Sequence, residues 1–464
     1  MATTYLSFTP SSTGNQRTFT FSFWVQRSKL GLGGTGQVIY CQSYGSDGYQ
    51  FKIEFTSNDE FRLYNSKGAS DAINLKTSKL FRDTSSWYAI TVEIDTTQST
   101  ESDRAKIYVN GVQETAFGTS TYPTQNLELD VNAAAAQIIG AKYSGSYSTY
   151  FDGLLSQFIF VDGTAYAAST FGSTNTVSGE WKPNANPTVT YGSNGYKLTF
   201  EDTTALGDDT SGNTNDFTLS GSGTSTLDNP SNNFATWNPL NYVQANNSPV
   251  LTNGNTKMTG SADAPFPNAI STLGIPKSGK YYAEFKMQNN TAFAVGICDI
   301  PKGMEALRTA STQIYNTTFN GAVSLKNDGS VIRNGAETNS VTPTIATGDI
   351  AMIAYDADNG AFYAGRNGTW GTVGGVVGVP TSGSSKTGAI DISAQSWFTT
   401  STDQGFLVGS TTGGGYAVVE ANFGNGYFGT TAVTSAGTAP STPGTFEYAV
   451  PTSYQPLSTK GLNV

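Results

Sequence analysis

Along FTFSFWVQRS, residues 19–28, Phe19, Phe21, Phe23 and Val25 fall on one side of an extended chain and Thr20, Ser22, Trp24 and Gln26 on the other. Alternation of this kind has the period of a β-strand, because successive side chains of a strand point to opposite faces. The same period returns in YQFKIEF, EFRLYN, WYAITVEID, AKIYVNG and YFDGLLSQFIFVDG, with short connections of Gly, Asp, Asn and Ser between them. In KIYVNGV, residues 106–112, the alternation runs straight into Asn110-Gly111. That pair favours a tight hairpin turn, since Asn and Gly adopt positive φ more readily than other residues. The spacing predicts many short antiparallel strands in two packed layers.

A helical period is nearly absent. The stretch nearest to one, around Pro301 to Ser311, is about three turns at most. The second half starts its own alternation at KYYAEFKM, residues 280–287, and continues through TAFAVGICD, GDIAMIAYDADNGAFYAGRNGTWG and VEANFGNGYFG. Between the halves lie a Pro/Asn-rich connector, KPNANPTVTYGSNG, the strand YKLTFED with Tyr196, Leu198 and Phe200 on one face, and a stretch rich in Gly, Ser, Asn and Thr. These shifts predict a sandwich over residues 1–205, a linker over 206–240, a second sandwich over 241–448 and a C-terminal tail over 449–464. A length of 464 residues is itself too great for one ordinary core. The expected fold class is all-β, two antiparallel sandwiches in tandem, divided within 220–240.

Composition narrows the function. There are 25 Lys and Arg against 35 Asp and Glu, a formal charge of −10, which repels phosphate backbones and anionic lipid and argues against nucleic-acid and membrane-surface roles. No run of 18 apolar residues is present, so no membrane insertion is expected. MATTYLSFTP has the character of neither half of a secretory signal. The two cysteines, Cys41 and Cys298, fall in different halves and read as buried thiols made in a reducing cytosol. Histidine is absent, which removes Ser-His-Asp and Cys-His catalysis and imidazole metal sites.

WYAITVEID, then AKIYVNGV, then YFDGLLSQFIFVDG stand in the order found in laminin-G-like, concanavalin A-like jelly rolls, and residues 5 to 180 resemble that family. The second half resembles the SPRY-type sandwich, also concanavalin A-like, through Val295-Gly296-Ile297, Asp356, Phe362, Asn367-Gly368, Trp370 and Asn422-Phe423-Gly424. Taken with WKP at 181–183, LGDDTSGNTNDF at 206–217, NNFATWNPL at 232–240 and VPTSYQPLSTKGLN at 450–463, the whole chain is similar to a group of virion proteins of tailed phages, many of them marine. The resemblance implies a structural, tail-fibre or adhesin role, assembly in the host cytoplasm and a place on the virion. It also implies other virion proteins as partners, a homo-oligomer or many copies per particle, and host cell-surface polysaccharide as a ligand. A capsid or tail decoration is the alternative.

Three groups of residues are candidates for chemistry. Glu93 and Asp95 in VEIDTTQSTE match the first two positions of the Glu-x-Asp-x-x-Glu strand of laminarinase-type glycosidases. The second carboxylate is replaced by Thr97 or Gln98, so the pair required for retaining hydrolysis is missing and no enzymatic activity is expected. Asp208, Asp209, Asn213, Asn215 and Asp216 offer hard oxygen ligands suited to Ca²⁺, but a turn capped by its own Asx and Ser side chains uses the same letters. Tyr44 and Tyr49, with Tyr40, flank a Gly-Ser loop, and Tyr143, Tyr147 and Tyr150 occupy another. Loop tyrosines provide rigid contact area for a glycan or protein, or pack loop feet against the sandwich rim. Trp370 in NGTW reads as packing within the second sandwich.

Overall fold

The computed structural model describes residues 3–31, 34–44, 48–240, 249–260, 267–289, 293–308, 320–333, 336–401, 403–410 and 417–463. The chain divides into two compact units, Met1–Ser225 and Thr226–Val464. Among the described residues each is built almost wholly from antiparallel strands.

In the first unit an eight-stranded sheet runs in the order Phe117–Thr121, Ser70–Leu80, Glu60–Lys67, Tyr49–Phe55, Gln37–Ser43, Gln137–Ile139, Tyr5–Phe8 and Thr218–Ser220. A six-stranded sheet runs Tyr196–Leu198, Gly153–Asp162, Thr18–Arg27, Tyr88–Asp95, Ala105–Val109 and Val112–Gln113. Their inner faces meet in one core in which Phe19, Phe21, Phe23, Phe51, Ile53, Leu63, Ile90, Val92, Ile107, Phe158 and Phe160 are buried. Burying each such side chain contributes about 1.5–3 kcal/mol, and this drives the alternation read in the sequence into register. Both sides of Thr18–Arg27 are covered, because Trp24 packs outside the sheet with Trp87, Leu154 and Trp181. Where that strand ends, Arg27 and Asp59 form an ion pair of 3.0 Å with both side chains fully buried.

The Asn110-Gly111 turn is a primed hairpin, with φ of 49° and 77°, and Asn110 Oδ1 accepts the Ala89 N–H at 2.8 Å. Glycine is required there twice over. Besides the positive φ, a Cβ on Gly111 would overlap the ring of Trp181, which lies across the turn. KIYVNGV is therefore both a hairpin and the seat of the aromatic cluster outside the six-stranded sheet.

In the second unit a sheet follows the order Val250–Thr252, Lys257–Thr259, Val418–Asn422, Lys280–Met287, Ile350–Asp356, Ala361–Arg366 and Thr369–Trp370, and Ile390–Asp391 and Gln455–Pro456 pair beside it. The facing sheet runs Asn268–Ile270, Gln404–Ser410, Phe293–Asp299, Ala322–Lys326, Val331–Arg333 and Ala336–Thr338. Phe285, Val295, Ile297, Ile353, Phe362, Phe406 and Phe423 fill the core between them. Ile300–Arg308 is the helix anticipated near Pro301, and the remainder of that stretch lies outside the described residues.

Two segments differ from expectation. Residues 206–240, read as a linker, carry packed structure: Thr218–Ser220 adds to the eight-stranded sheet and Phe217 enters the first core, whereas Trp237 is fully buried in the second. Residues 449–464, read as a tail, bury Tyr454 and Leu457 completely and pair Gln455–Pro456 in parallel with Tyr281 and Tyr282. Their Gly, Ser, Asn and Pro content forms turns around single large apolar anchors, so composition conceals how much they bury. Cys41 and Cys298 are free, buried thiols, one in each unit.

Candidate functional site

The outer face of the eight-stranded sheet follows from strand parity. Phe51, Ile53 and Phe55 point into the core, so Gln50, Lys52 and Glu54 point out; Phe61 and Leu63 point in, so Glu60, Arg62 and Tyr64 point out. The register places Glu54 opposite Arg62 and Arg62 opposite Lys76. Where these strands end, Glu54, Glu60, Arg62 and Lys76 floor a groove of about 340 Å³, walled by Gly34, Gly36, the turn Thr56-Ser57-Asn58, and Thr149. That volume lies in the range of small-ligand sites, although this groove is far more polar than most.

Its charges are already matched. Arg62 donates through Nε to Glu54 at 2.6 Å and through a second guanidinium nitrogen to the same oxygen, and Lys52 stands 3.4 Å from the other oxygen. Glu60 accepts from Thr56 Oγ1 at 2.7 Å and pairs with Lys76 at 3.4 Å. Beside the groove the Tyr64 ring has Lys52 Nζ 5.0 Å and Arg62 Cζ 4.7 Å from its centroid, while its hydroxyl donates to Asp71 at 2.8 Å. Burial raises the Tyr64 pKa, as does Asp71, and burial lowers that of Lys52 against the pull of Glu54. The floor thus presents donors and acceptors fixed in place by one another, with a net charge near zero.

The tyrosines separate into two places. Lys142–Tyr143 and Tyr147–Ser148 form a hairpin, and Tyr147 stacks on Tyr5, centroids 4.0 Å apart at 21°, with Tyr143 4.9 Å from Tyr147. Leu6 points into the core, so Tyr5 stands on the outer face and the hairpin lies over that face. The chain then reaches the groove wall, where Thr149 O accepts the Val38 N–H at 3.0 Å and Tyr150 bridges to Val38. Burial, with a hydrogen bond donated to Tyr5, pushes the Tyr147 phenol up to about 12, so it stays protonated at neutral pH. Tyr44 and Tyr49 lie instead at the opposite end of their hairpin, 52% and 48% exposed, joined by Tyr44 N–H to Tyr49 O at 3.2 Å. The loop tip between them, 45–47, lies outside the described residues. Tyr40, grouped with these two in the sequence, is a fully buried core residue.

The Asp208 to Asp216 loop is tied up by its own donors. Asp209 accepts the N–H groups of Lys197, Ser211 and Asn215 at 2.8 to 2.9 Å and the Ser211 hydroxyl at 2.8 Å, and Asp216 accepts the Asp209 N–H at 2.9 Å. Asn213 and Asn215 turn their amide nitrogens to the carbonyls of Gly192, Ser193 and Gly195. Among the described residues no cluster of three or more His, Cys, Asp or Glu side chains is arranged to hold a metal ion. The geometry is that of a self-capped turn. Glu93 accepts from Tyr108 at 3.1 Å and Lys106 at 3.5 Å. For Asp95, burial opposes the charge, but hydrogen bonds from Thr97 and Gln98 prevail and lower its pKa. Trp370 packs edge-on to Tyr282 at 6.3 Å, as its packing role requires.

The groove itself was not singled out from the sequence. Its signal was present in the alternation of YQFKIEF and EFRLYN, whose polar positions carry opposite charges on neighbouring strands.

Residues 1–169 match the family model described as the concanavalin A-like lectin/glucanases superfamily. No curated protein matches the chain. Solved structures similar to it include the SPRY domain of human HERC1, at 14% identity over 40% of this chain and 96% of that one with a TM-score of 0.29. A heptameric SAP-like pentraxin from Limulus polyphemus shares 15% identity over 39% of this chain and 86% of that one, TM-score 0.28. Domain 4 of AbnA, a GH43 extracellular arabinanase from Geobacillus stearothermophilus solved with arabinotriose, shares 16% identity over 33% of this chain and 64% of that one, TM-score 0.25. Among its described residues the protein is nearly all-β, with sandwiches of antiparallel sheets in both units, and the first has a concanavalin A-like fold.

Proposed function

We propose that this chain is a non-catalytic recognition protein whose first unit binds a surface glycan in the groove outside its eight-stranded sheet, working on a phage particle as a tail-fibre-like adhesin. The groove carries this reading: a recess of about 340 Å³ whose floor of Glu54, Glu60, Arg62 and Lys76 is pre-set by its own ion pairs. Carboxylate and guanidinium edges held in place bind vicinal hydroxyls without first having to be ordered, which lowers the entropic cost of association. The match to the concanavalin A-like lectin/glucanases superfamily over residues 1–169 covers all the residues that line it. The adhesin role and the phage setting rest on the resemblance of the sequence motifs to tailed-phage virion proteins. Weak single sites repeated on one particle give firm attachment, since linked copies add about 10²–10⁴ in avidity.

The test is binding of the purified full chain to a panel of bacterial surface polysaccharides, by glycan array and then calorimetry. Arg62→Ala and Glu54→Gln are expected to weaken binding at least about tenfold, the loss of one charge-assisted hydrogen bond. Wild-type affinity in both variants together with loss in a Tyr44→Ala/Tyr49→Ala protein would move the site to the hairpin end. Binding to capsid or tail proteins and to no polysaccharide would make the chain a decoration. Release of reducing ends from a bound polysaccharide, abolished by Glu54→Gln, would make it an enzyme.

A further inference from the structure

We propose that the interior of the first unit holds a buried hydration site: about one or two structural water molecules bound between Tyr40, Gln42, Gln137 and Tyr196, in keeping with the usual pairing of such waters with about three polar groups each. All four side chains are fully buried. Tyr40 and Gln42 belong to Gln37–Ser43, Gln137 to Gln137–Ile139 and Tyr196 to Tyr196–Leu198, so the group joins the two sheets.

Gln42 and Gln137 stand directly opposite in the antiparallel register, and Gln137 is also opposite Phe8, whose ring lies 6.5 Å from that of Tyr196. Tyr40 and Tyr196 both pack on Phe158, with centroids 6.5 and 6.4 Å away. Gln42 spends its amide nitrogen on Ala133 O at 3.0 Å and Ala135 O at 2.7 Å. What remains is five buried polar atoms with no hydrogen-bond partner among the described residues: Tyr40 OH, Tyr196 OH, Gln42 Oε1, Gln137 Oε1 and Gln137 Nε2. The great majority of buried polar atoms are hydrogen-bonded to protein or ordered water, yet these four side chains, two glutamines paired in register and two tyrosines packed on one phenylalanine, carry five orphans in an otherwise apolar core. Two hydroxyls that donate or accept, two amide oxygens that accept and one amide nitrogen that donates suit water, which does both. The group is neutral, which favours water over an ion.

Oxygen-17 and deuteron relaxation dispersion on the full chain tests this, because it counts waters with long residence times. The wild type is expected to show at least one more such water than Gln137→Met, and Tyr196→Phe, which removes one oxygen and little else, is expected to lower the count or shorten the residence time. Equal counts and residence times in wild type and Tyr196→Phe would overturn the proposal, whether or not Gln137→Met folds. A high-resolution crystal structure in which the Gln42 and Gln137 amides bond directly to each other, with no density near either tyrosine hydroxyl, would overturn it as well.

Discussion

The two units use one architecture and treat the outer face of a large sheet in opposite ways. In the first, that face is polar: Glu54, Glu60, Arg62 and Lys76 pair across strands and border an open groove. In the second, the corresponding positions of Lys280–Met287, Ile350–Asp356 and Ala361–Arg366 are Tyr282, Met352, Ala354, Ala361 and Tyr363, and they are covered by Phe446, Val450 and Tyr454 from the same chain. A face of that composition cannot be left in water at little cost, whereas a lattice of surface ion pairs can. The difference teaches that exposure of a sheet face is decided by what its outward positions carry, and the free face is the one to which the proposed recognition is assigned.

The cover is also fastened by a buried carboxyl. Glu284, fully buried, accepts the N–H groups of Glu447 and Tyr448 at 2.8 Å each and the Tyr282 hydroxyl at 2.9 Å. Burial pushes its carboxyl up to about 7 despite those three donors. The buried Asp59 of the first unit has cations, Arg27 and Arg82, both 3.0 Å away. Burial works against its charge as well, but the hydrogen bonds from Gly31 and Arg82 and the charge of Arg27 hold its pKa below the usual range.

The comparison breaks most visibly if the cover is removed. Phe446→Ala is expected to cost the second unit about 3–5 kcal/mol, the usual price of an aromatic side chain lost from a packed core. Denaturant unfolding followed by tryptophan fluorescence measures it, and a cost under about 1 kcal/mol would mean that the face is not sealed by this segment. Next comes pH. A carboxyl whose folded pKa is raised holds a proton that the unfolded chain releases, so its contribution to stability is present below about 4.5 and declines as pH rises to about 7. The decline should amount to about 3 kcal/mol, the shift from 4.5 to about 7 at 1.36 kcal/mol per pH unit. Glu284→Gln should flatten that slope over the same window, and an unchanged slope would assign it to other groups. In the first unit, Gly111→Ala should cost about 2 kcal/mol through positive φ and the Trp181 ring, seen as a drop in melting temperature; the native Tm would show that the ring swings clear. The smallest effect is expected at the groove's more exposed pair, where Lys76→Ala should change folding stability by less than about 1 kcal/mol in the same melting experiment.

The strands were legible because their signal is local. Phe19, Phe21 and Phe23 announce their face within five residues, and Asn110-Gly111 announces its own turn. The groove depends on which strands become neighbours, and the pairing of Glu54 with Arg62 and of Arg62 with Lys76 appears only once the hairpin registers are set. The loop tyrosines misled in part for the same reason. Tyr40 continues a strand into the core, and Tyr147 finds Tyr5, 142 residues earlier, through the order of strands in the sheet. In 206–240 and 449–464 the burying residues, Phe217, Trp237, Tyr454 and Leu457, are too widely spaced to produce a period, so turn-forming composition dominated the reading.

The two cysteines give each unit its own clock. Burial pushes the Cys41 thiol up to about 11 and raises that of Cys298 further, so neither is an effective nucleophile while it stays covered. Cys41 stands opposite the outward-pointing Lys52 under the Lys142–Tyr143 hairpin, and Cys298 packs with Ile270, Ala322 and Leu407 against the start of the helix Ile300–Arg308, so a thiol-specific reagent must wait for those covers to lift. The two labelling rates, separated by peptide mass spectrometry, therefore read how often each of these covers lifts under native conditions, without any residue having to be introduced as a probe.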